Sequence, residues 1–382
     1  MDEVRMVRDS YPEPAPPTAR EIARAKALLN DPPRRSRPRL LWGLGGVVAA
    51  GAATAVALTV VGGNTPAPPR PSGPVHLDDR ALVLAAAEKA EQQPTGKYWH
   101  EDRIDGQSYI MRPKTGTYAI TGATTESFAW WGAKRGMGEG YYGRDLPAHP
   151  STARDAALWR KAGSPSRFRV WSSDHYYTYT AKAQKWQLDG PNRGTNPRGG
   201  GEFLGGVSAK DLPNLPTDKT KLAEMFMGDE EMKKLTGPKF ADKGVTSRLK
   251  LMRVSALLSA PVSSQVRAGL MRALADQPGI HSIGQDTDPL DRRGVALASD
   301  DRTTTVTGEF GEPKAERGTY RSRTVIIFDQ RTGALLSVQD EVTKPGGPYA
   351  EMRPGFIINY IAERSSGWTD TKPTPPAALP FH

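Results

Sequence analysis

The feature that most constrains this chain is an uncharged run of 22 residues, Leu40 to Val61, reading LLWGLGGVVAAGAATAVALTVV. A helix rising about 1.5 Å per residue would carry that run about 33 Å, enough for a hydrocarbon core of about 30 Å. Arg34, Arg35, Arg37 and Arg39 stand immediately before it, and the next charge after it is Arg70. Positive charge stays on the cytoplasmic side, so residues 1–39 are expected inside the cell membrane and everything beyond 61 outside. The apolar run exceeds the roughly 7–15 residues of a signal-peptide core, and it starts far from the N-terminus. Gly46, Ala50 and Thr54 form a small-residue ridge on which a second helix could pack.

The segments flanking this transmembrane helix (residues 40–61) read differently. Within residues 1–39, Pro12, Pro14, Pro16 and Pro17 exclude a helix from their own stretch. Thr18-Ala19-Arg20-Glu21 then has the form of a capping box, with a helix predicted from Ala19 to Leu29 before Pro32-Pro33. Ile22, Ala25, Leu28 and Leu29 share one face of that helix. It is too short to be stable alone, so these four residues are the expected contact for a cytosolic protein partner. Residues 62–74, GGNTPAPPRPSGP, hold five prolines and form a semi-rigid spacer.

Residues 75–382 form the extracytoplasmic domain. A helix is predicted from Asp79 to Glu91. Short aromatic strands follow at Lys97–Arg103, Ser108–Met111, Thr117–Thr121, Ser127–Gly132, Arg167–Trp171 and Tyr176–Thr180. Asp105-Gly106 is a hairpin signal between the first two strands, and a helix from Thr152 to Lys161 interrupts the series. Residues 189–206 read as a loop. Helices are expected at Lys219–Phe226, Asp229–Leu235, Thr246–Leu258 and from Pro261 to about Gln277. Strands return at Ile280–Ile283, Gly294–Ala298, Thr303–Thr307, Thr324–Phe328, Ala334–Val338 and Phe356–Ile361, and the Pro-rich residues 370–382 read as loose. Strands, then helices, then strands indicate an α+β fold on an antiparallel sheet.

Catalytic chemistry is hard to find. The chain has no Cys, which excludes disulfides, thiol nucleophiles and Cys-containing zinc sites. Its six His residues are not paired at metal-ligand spacing; His100 next to Glu101 and Asp102 could bind a metal only weakly, since adjacent side chains in a strand point to opposite faces. Ser247-Arg-Leu-Lys250 fits S-x-x-K and Lys114-Thr115-Gly116 fits K-T-G, but the order is reversed and the intervening element is missing. No metal, cofactor or catalytic residue is therefore expected. Aromatics are the uneven signal: sixteen fall between Tyr98 and Trp186, although they make up only 8% of the chain. Trp99, Phe128, Trp130, Trp171, Tyr177 and Tyr179 form either a ligand-binding aromatic face or an ordinary core. The net charge of +10 divides into +3 for residues 1–39 and +7 beyond. It fits anionic lipid or wall polymers better than nucleic acid.

Several blocks carry a resemblance. They are the basic juxtamembrane cluster, Leu215-Pro216-Thr217-Asp218 with Lys221-Leu222, Pro278-Gly279-Ile280, and Asp291-Arg292-Arg293-Gly294-Val295-Ala296. To these are added Ile327-Phe328-Asp329 with Thr332-Gly333-Ala334-Leu335, and Ser366-Gly367-Trp368-Thr369-Asp370. In this order they resemble an actinobacterial family of single-pass membrane proteins of uncharacterised function, often encoded beside extracytoplasmic-function sigma factors. The outer domain is also similar to curved, lipoprotein-carrier-like sheets with helices across the mouth. The resemblance implies a non-enzymatic membrane-anchored sensor or regulator, linked to a sigma factor through its cytosolic N-terminus. The alternative is a tethered lipid- or lipoprotein-binding envelope protein, and the minor alternative an envelope hydrolase. The chain departs from anti-sigma factors in offering one cytosolic helix and no zinc motif.

Overall fold

The computed structural model describes residues 77–134, 137–172, 174–188, 211–236 and 243–381. The expected cytosolic helix with Ile22, Ala25, Leu28 and Leu29, the arginines Arg34, Arg35, Arg37 and Arg39, the span 40–61 and the spacer 62–74 lie outside these residues, as does the loop 189–206. Among the described residues no helix is long and apolar enough to cross a membrane.

Among the described residues, six α-helices and thirteen strands make an α+β domain. The helices are α1 (Leu77–Glu91), α2 (Ala153–Lys161), α3 (Lys219–Met227), α4 (Asp229–Thr236), α5 (Lys243–Ser259) and α6 (Ser264–Ala275). The N-terminal strands are β1 (Tyr98–Met111), β2 (Tyr118–Gly132), β3 (Glu139–Asp145), β4 (His149–Pro150), β5 (Arg167–Ser172), β6 (His175–Thr180) and β7 (Gln187–Leu188). The C-terminal strands are β8 (Ile280–Thr287), β9 (Arg293–Ser299), β10 (Arg302–Val306), β11 (Gly318–Phe328), β12 (Leu335–Lys344) and β13 (Ile357–Thr369). Eleven strands join one antiparallel sheet in the order β7-β3-β2-β1-β13-β12-β11-β9-β8, with β10 on β11 and β4 on β2. The β5–β6 hairpin stands apart from this sheet.

Three sequence expectations change. Asp105-Gly106 is not a hairpin turn: β1 runs straight through it, with a bulge against β2 between Asp105 and Gln107. The glycine is there for close approach, since a Cβ at Gly106 would lie 2.2 Å from Cζ of Tyr360. The next two predicted strands are likewise one strand, β2, kinked at Ala123, which takes a positive φ of 41°. The last long helix starts at Ser264 rather than Pro261, because the Ser263 hydroxyl accepts from the amide of Val266 and caps it.

The main core lies between one face of the C-terminal strands and α1, α3, α5 and α6. Val83, Leu222, Leu258, Leu270, Met271, Val295, Leu297, Ile326, Phe328 and Val338 pack there, all nearly or fully buried. Alternation along β9 and β11 sends Ala296, Ala298, Val325 and Ile327 to a separate cluster on the other face. The blocks that carry the family resemblance serve this packing. Asp218 caps α3 through the amides of Thr220 and Lys221. Asp329 accepts from the amides of Arg331 and Thr332 in the β11–β12 turn. Gly333 in that turn has φ +69° and meets α1 so closely that a Cβ would lie 2.2 Å from the Ala86 carbonyl oxygen. These two blocks encode a cap and a turn.

Candidate functional site

The strands β3, β2, β1 and β13 lie side by side, and their pairing builds the site. Asp102 is opposite Phe128, His100 opposite Trp130, and Glu126 opposite both Ile104 and Arg144. With a period of two, His100 and Asp102 share a face of β1 with Glu126, Phe128 and Trp130 of β2 and with Tyr142 and Arg144 of β3. This face is turned away from α5 and α6. The neighbouring Trp99 proves the direction: its Nε1 donates to the Ser259 carbonyl at the end of α5, and Arg267 of α6 lies 4.5 Å from its ring.

Four charges form the floor. Glu126 is fully buried and accepts from Arg144 Nε at 2.5 Å and from Arg364 Nη1 at 2.7 Å. Asp102 is also buried, with its side chain against that of Glu126 and its Oδ2 4.0 Å from Arg364 Nε. Burial, with the adjacent Glu126 carboxylate, pushes the Asp102 carboxyl up to about 7, against the opposing pull of Arg364 and Arg144. Burial lowers the pKa of His100, partly offset by the Gly367 carbonyl, so the ring is neutral at pH 7.

The C-terminal segment crosses this floor. Arg144 donates to the carbonyls of Ala377 (3.3 Å) and Ala378 (2.7 Å), Arg364 donates to Ala378 (2.9 Å), and Trp186 Nε1 donates to Pro376 (2.7 Å). The Lys372 ammonium lies 4.5 Å from the Trp130 ring, and Phe381 packs on His149 at 4.8 Å. The Pro-rich end therefore has a fixed place, contrary to the loose tail expected from its composition. Proline removes amide donors but leaves carbonyls, and here the arginines and Trp186 supply the missing donors.

Two clefts open beside this strap, and it walls both. One, of about 370 Å³, is lined by His100, Asp102, Phe128, Arg364, Ser365 and Thr369, with Pro373, Thr374 and Pro376. The other, of about 420 Å³, includes Ser108, Thr121, His149, Ser151, Asp291 and Tyr360, with Pro380 and Phe381. Ser365 Oγ is 3.4 Å from His100 Nε2, and the Gly367 carbonyl meets the same ring. A contact that long leaves the hydroxyl weakly activated as a nucleophile. Ser247 and Lys250 line neither cleft; Lys250 donates to Gln277 at 3.0 Å. Among the described residues no three His, Asp or Glu side chains converge as metal ligands.

The six predicted aromatics occupy three places. Phe128 and Trp130 are on the strap face and buried, and Trp99 is on the helix face. Trp171, Tyr177 and Tyr179 belong to the β5–β6 hairpin, where Tyr177 and Tyr179 stack at 6.2 Å. Tyr179 reaches the Tyr109 hydroxyl at 3.3 Å and helps fix the hairpin to β1. Sequence reading missed Glu126, Arg144, Arg364 and Trp186, and set Asp102 aside with His100 as a weak metal pair. One signal was available: a loose tail has no need of the apolar Leu379-Pro380-Phe381 that ends this one.

No protein-family model matches the chain, and no curated protein matches it. Among solved structures, LprF from Mycobacterium bovis is similar over 79% of this chain and 99% of its own, at 10% identity and a TM-score of 0.24; a likeness that loose assigns neither fold nor ligand.

Proposed function

We propose that residues 75–382 form a non-enzymatic binding domain of the cell envelope, held at the membrane by the span 40–61, with its ligand site on the strap face. The observation that carries this reading is the pair of strap-walled clefts, one of them lined by His100, the buried Asp102 and Arg364. A concave site with a few convergent polar groups is where a ligand is expected to bind. The regulatory arm, contact of Ile22, Ala25, Leu28 and Leu29 with a sigma factor, rests on sequence alone. Carriage of a lipid or lipoprotein is the alternative. Against an acyl chain between helices and sheet stands the filled core there, where Leu258, Leu270, Met271 and Phe328 are at most 1% exposed.

Complementation of a deletion strain tests the proposal. Thr369→Trp fills the smaller cleft and should abolish function, whereas Ser365→Ala, which removes one hydroxyl, should weaken function only a few-fold. Complete loss with Ser365→Ala would revive the hydrolase. Native mass spectrometry of the intact protein showing a stoichiometric acyl chain would establish the lipid alternative instead.

A further inference from the structure

We propose that the groove crossed by residues 371–381 is a recognition site for an extended proline-rich peptide of an envelope partner, and that the chain's own C-terminal segment occupies it in cis. The inference rests on the reading of the strap face as a binding surface and gives one of its ligands a chemical class.

Recognition is through three successive carbonyls, those of Pro376, Ala377 and Ala378, each accepting from a side chain of the groove. The side chains of Ala377 and Ala378 are exposed, so the contact reads main chain, not residue type. Aromatic surface flanks the donors. Arg144 lies 4.4 Å from the Trp186 ring, and Phe128 meets both Trp186 (6.5 Å, 72°) and Tyr142 (6.2 Å, 60°). Aromatic walls with a Trp or polar donor aimed at carbonyls are what a preformed polyproline segment needs, because it carries few amides and loses little entropy on docking.

The segment is held as a ligand is held. Among the described residues no backbone-to-backbone hydrogen bond joins 372–381 to the sheet, which ends at Thr369. Beyond the local Thr369–Thr371 contact, Arg144, Arg364 and Trp186 of the groove fasten it through its carbonyls, and open clefts remain at both ends. Such an occupant can exchange. Because it is tethered directly to β13, its effective concentration is in the millimolar range, and a competing peptide must overcome that.

The test uses the full chain in detergent micelles and a labelled synthetic peptide, TKPTPPAALPFH, matching residues 371–382. A chain ended after Asp370 should bind this peptide saturably and at least ten-fold more tightly than the intact chain. Replacing Pro373, Pro375 and Pro376 of the peptide with Ala should weaken binding at least ten-fold, and Trp186→Phe in the shortened chain several-fold. A shortened chain that keeps its unfolding transition yet fails to bind, or that binds the Ala peptide equally, overturns the proposal. If shortening prevents folding, the absence of Cys allows a single fluorophore at His382→Cys in the intact chain. Its anisotropy should fall with Trp186→Phe, Arg144→Lys or millimolar free peptide; no change in any of the three overturns the proposal. Thr369→Trp abolishing complementation while the peptide fails to bind would sink this inference and leave the broader reading intact.

Discussion

Asp102→Asn is the sharpest probe of the strap face. The Asp102 carboxyl is held at about 7 rather than 3.8, first by burial and then by Glu126. A raised acid binds its proton more tightly in the folded state. Its stabilisation is therefore complete below the unfolded value and is lost as pH climbs through about 7. At about 1.4 kcal/mol per pKa unit the whole effect is about 4 kcal/mol, of which about 2 kcal/mol falls between roughly pH 5.5 and 8.5. In a domain of this size that is a change in Tm of about 3 °C. Glu101, also pushed up to about 7 by burial, and Glu363, raised by burial and by Glu101, add slopes of the same sign. Wild type should thus lose stability from mildly acid to mildly alkaline pH. Asn imitates the neutral acid, so Asp102→Asn should lose about 2 kcal/mol less over the same range. The assay is the unfolding midpoint of the full chain in one detergent at both pH values. Parallel curves would refute the reasoning. So would a variant less stable than wild type by about 3 kcal/mol at the alkaline end, the result expected if Asp102 were an ionised partner of Arg364.

Other outcomes follow from single contacts. Gly106→Ala should cost about 1–3 kcal/mol, because its Cβ collides with the Tyr360 ring; a Tm unchanged from wild type would mean that the ring swings aside freely. Arg144→Ala removes one of the two partners of a fully buried carboxylate and should cost about 3–5 kcal/mol. It should also speed proteolytic removal of residues 371–382, and unchanged cleavage would separate the strap from the charge floor. Asp340 is buried, yet Arg248, Arg302 and the Thr324 hydroxyl outweigh that burial and hold its carboxyl below the ordinary range. Its contribution is present above the unfolded value and is lost as pH falls through the lowered one, so Asp340→Asn should destabilise at neutral pH and flatten the acid limb of the stability curve.

Much of the architecture was legible because it depends on local patterns. The apolar repeat of α6, the acidic start of α4 and the β-branched run of β11 all declare themselves within one element. What failed was long-range. Asp105-Gly106 has the composition of a turn, and only Tyr360, brought alongside from β13, reveals why a glycine stands there. The strap was misread for the same reason: its prolines describe a chain without partners, while Arg144, Arg364 and Trp186 come from three distant elements. The aromatic group was drawn by counting rather than by side, so Trp99 joined Phe128 and Trp130 although the strand pairing turns it to the helices. The charge floor was invisible because each member is an ordinary residue in its own strand. Only the register between β1, β2 and β3 turns Asp102, Glu126 and Arg144 into a cluster.

The place of β13 sets an order of assembly. It lies between β1 and β12, and its residues pair with Tyr98 through Gln107 on one side and Ser337 through Glu341 on the other. The last strand made is thus the seam of the sheet. During synthesis the β1–β3 ladder must wait, its inner edge unpaired, until β13 has emerged. Such non-local closure is slow, and a waiting edge invites mispairing with another chain. Escorting chaperones would act on that edge, and the strap, which follows β13 directly, is the last part to dock.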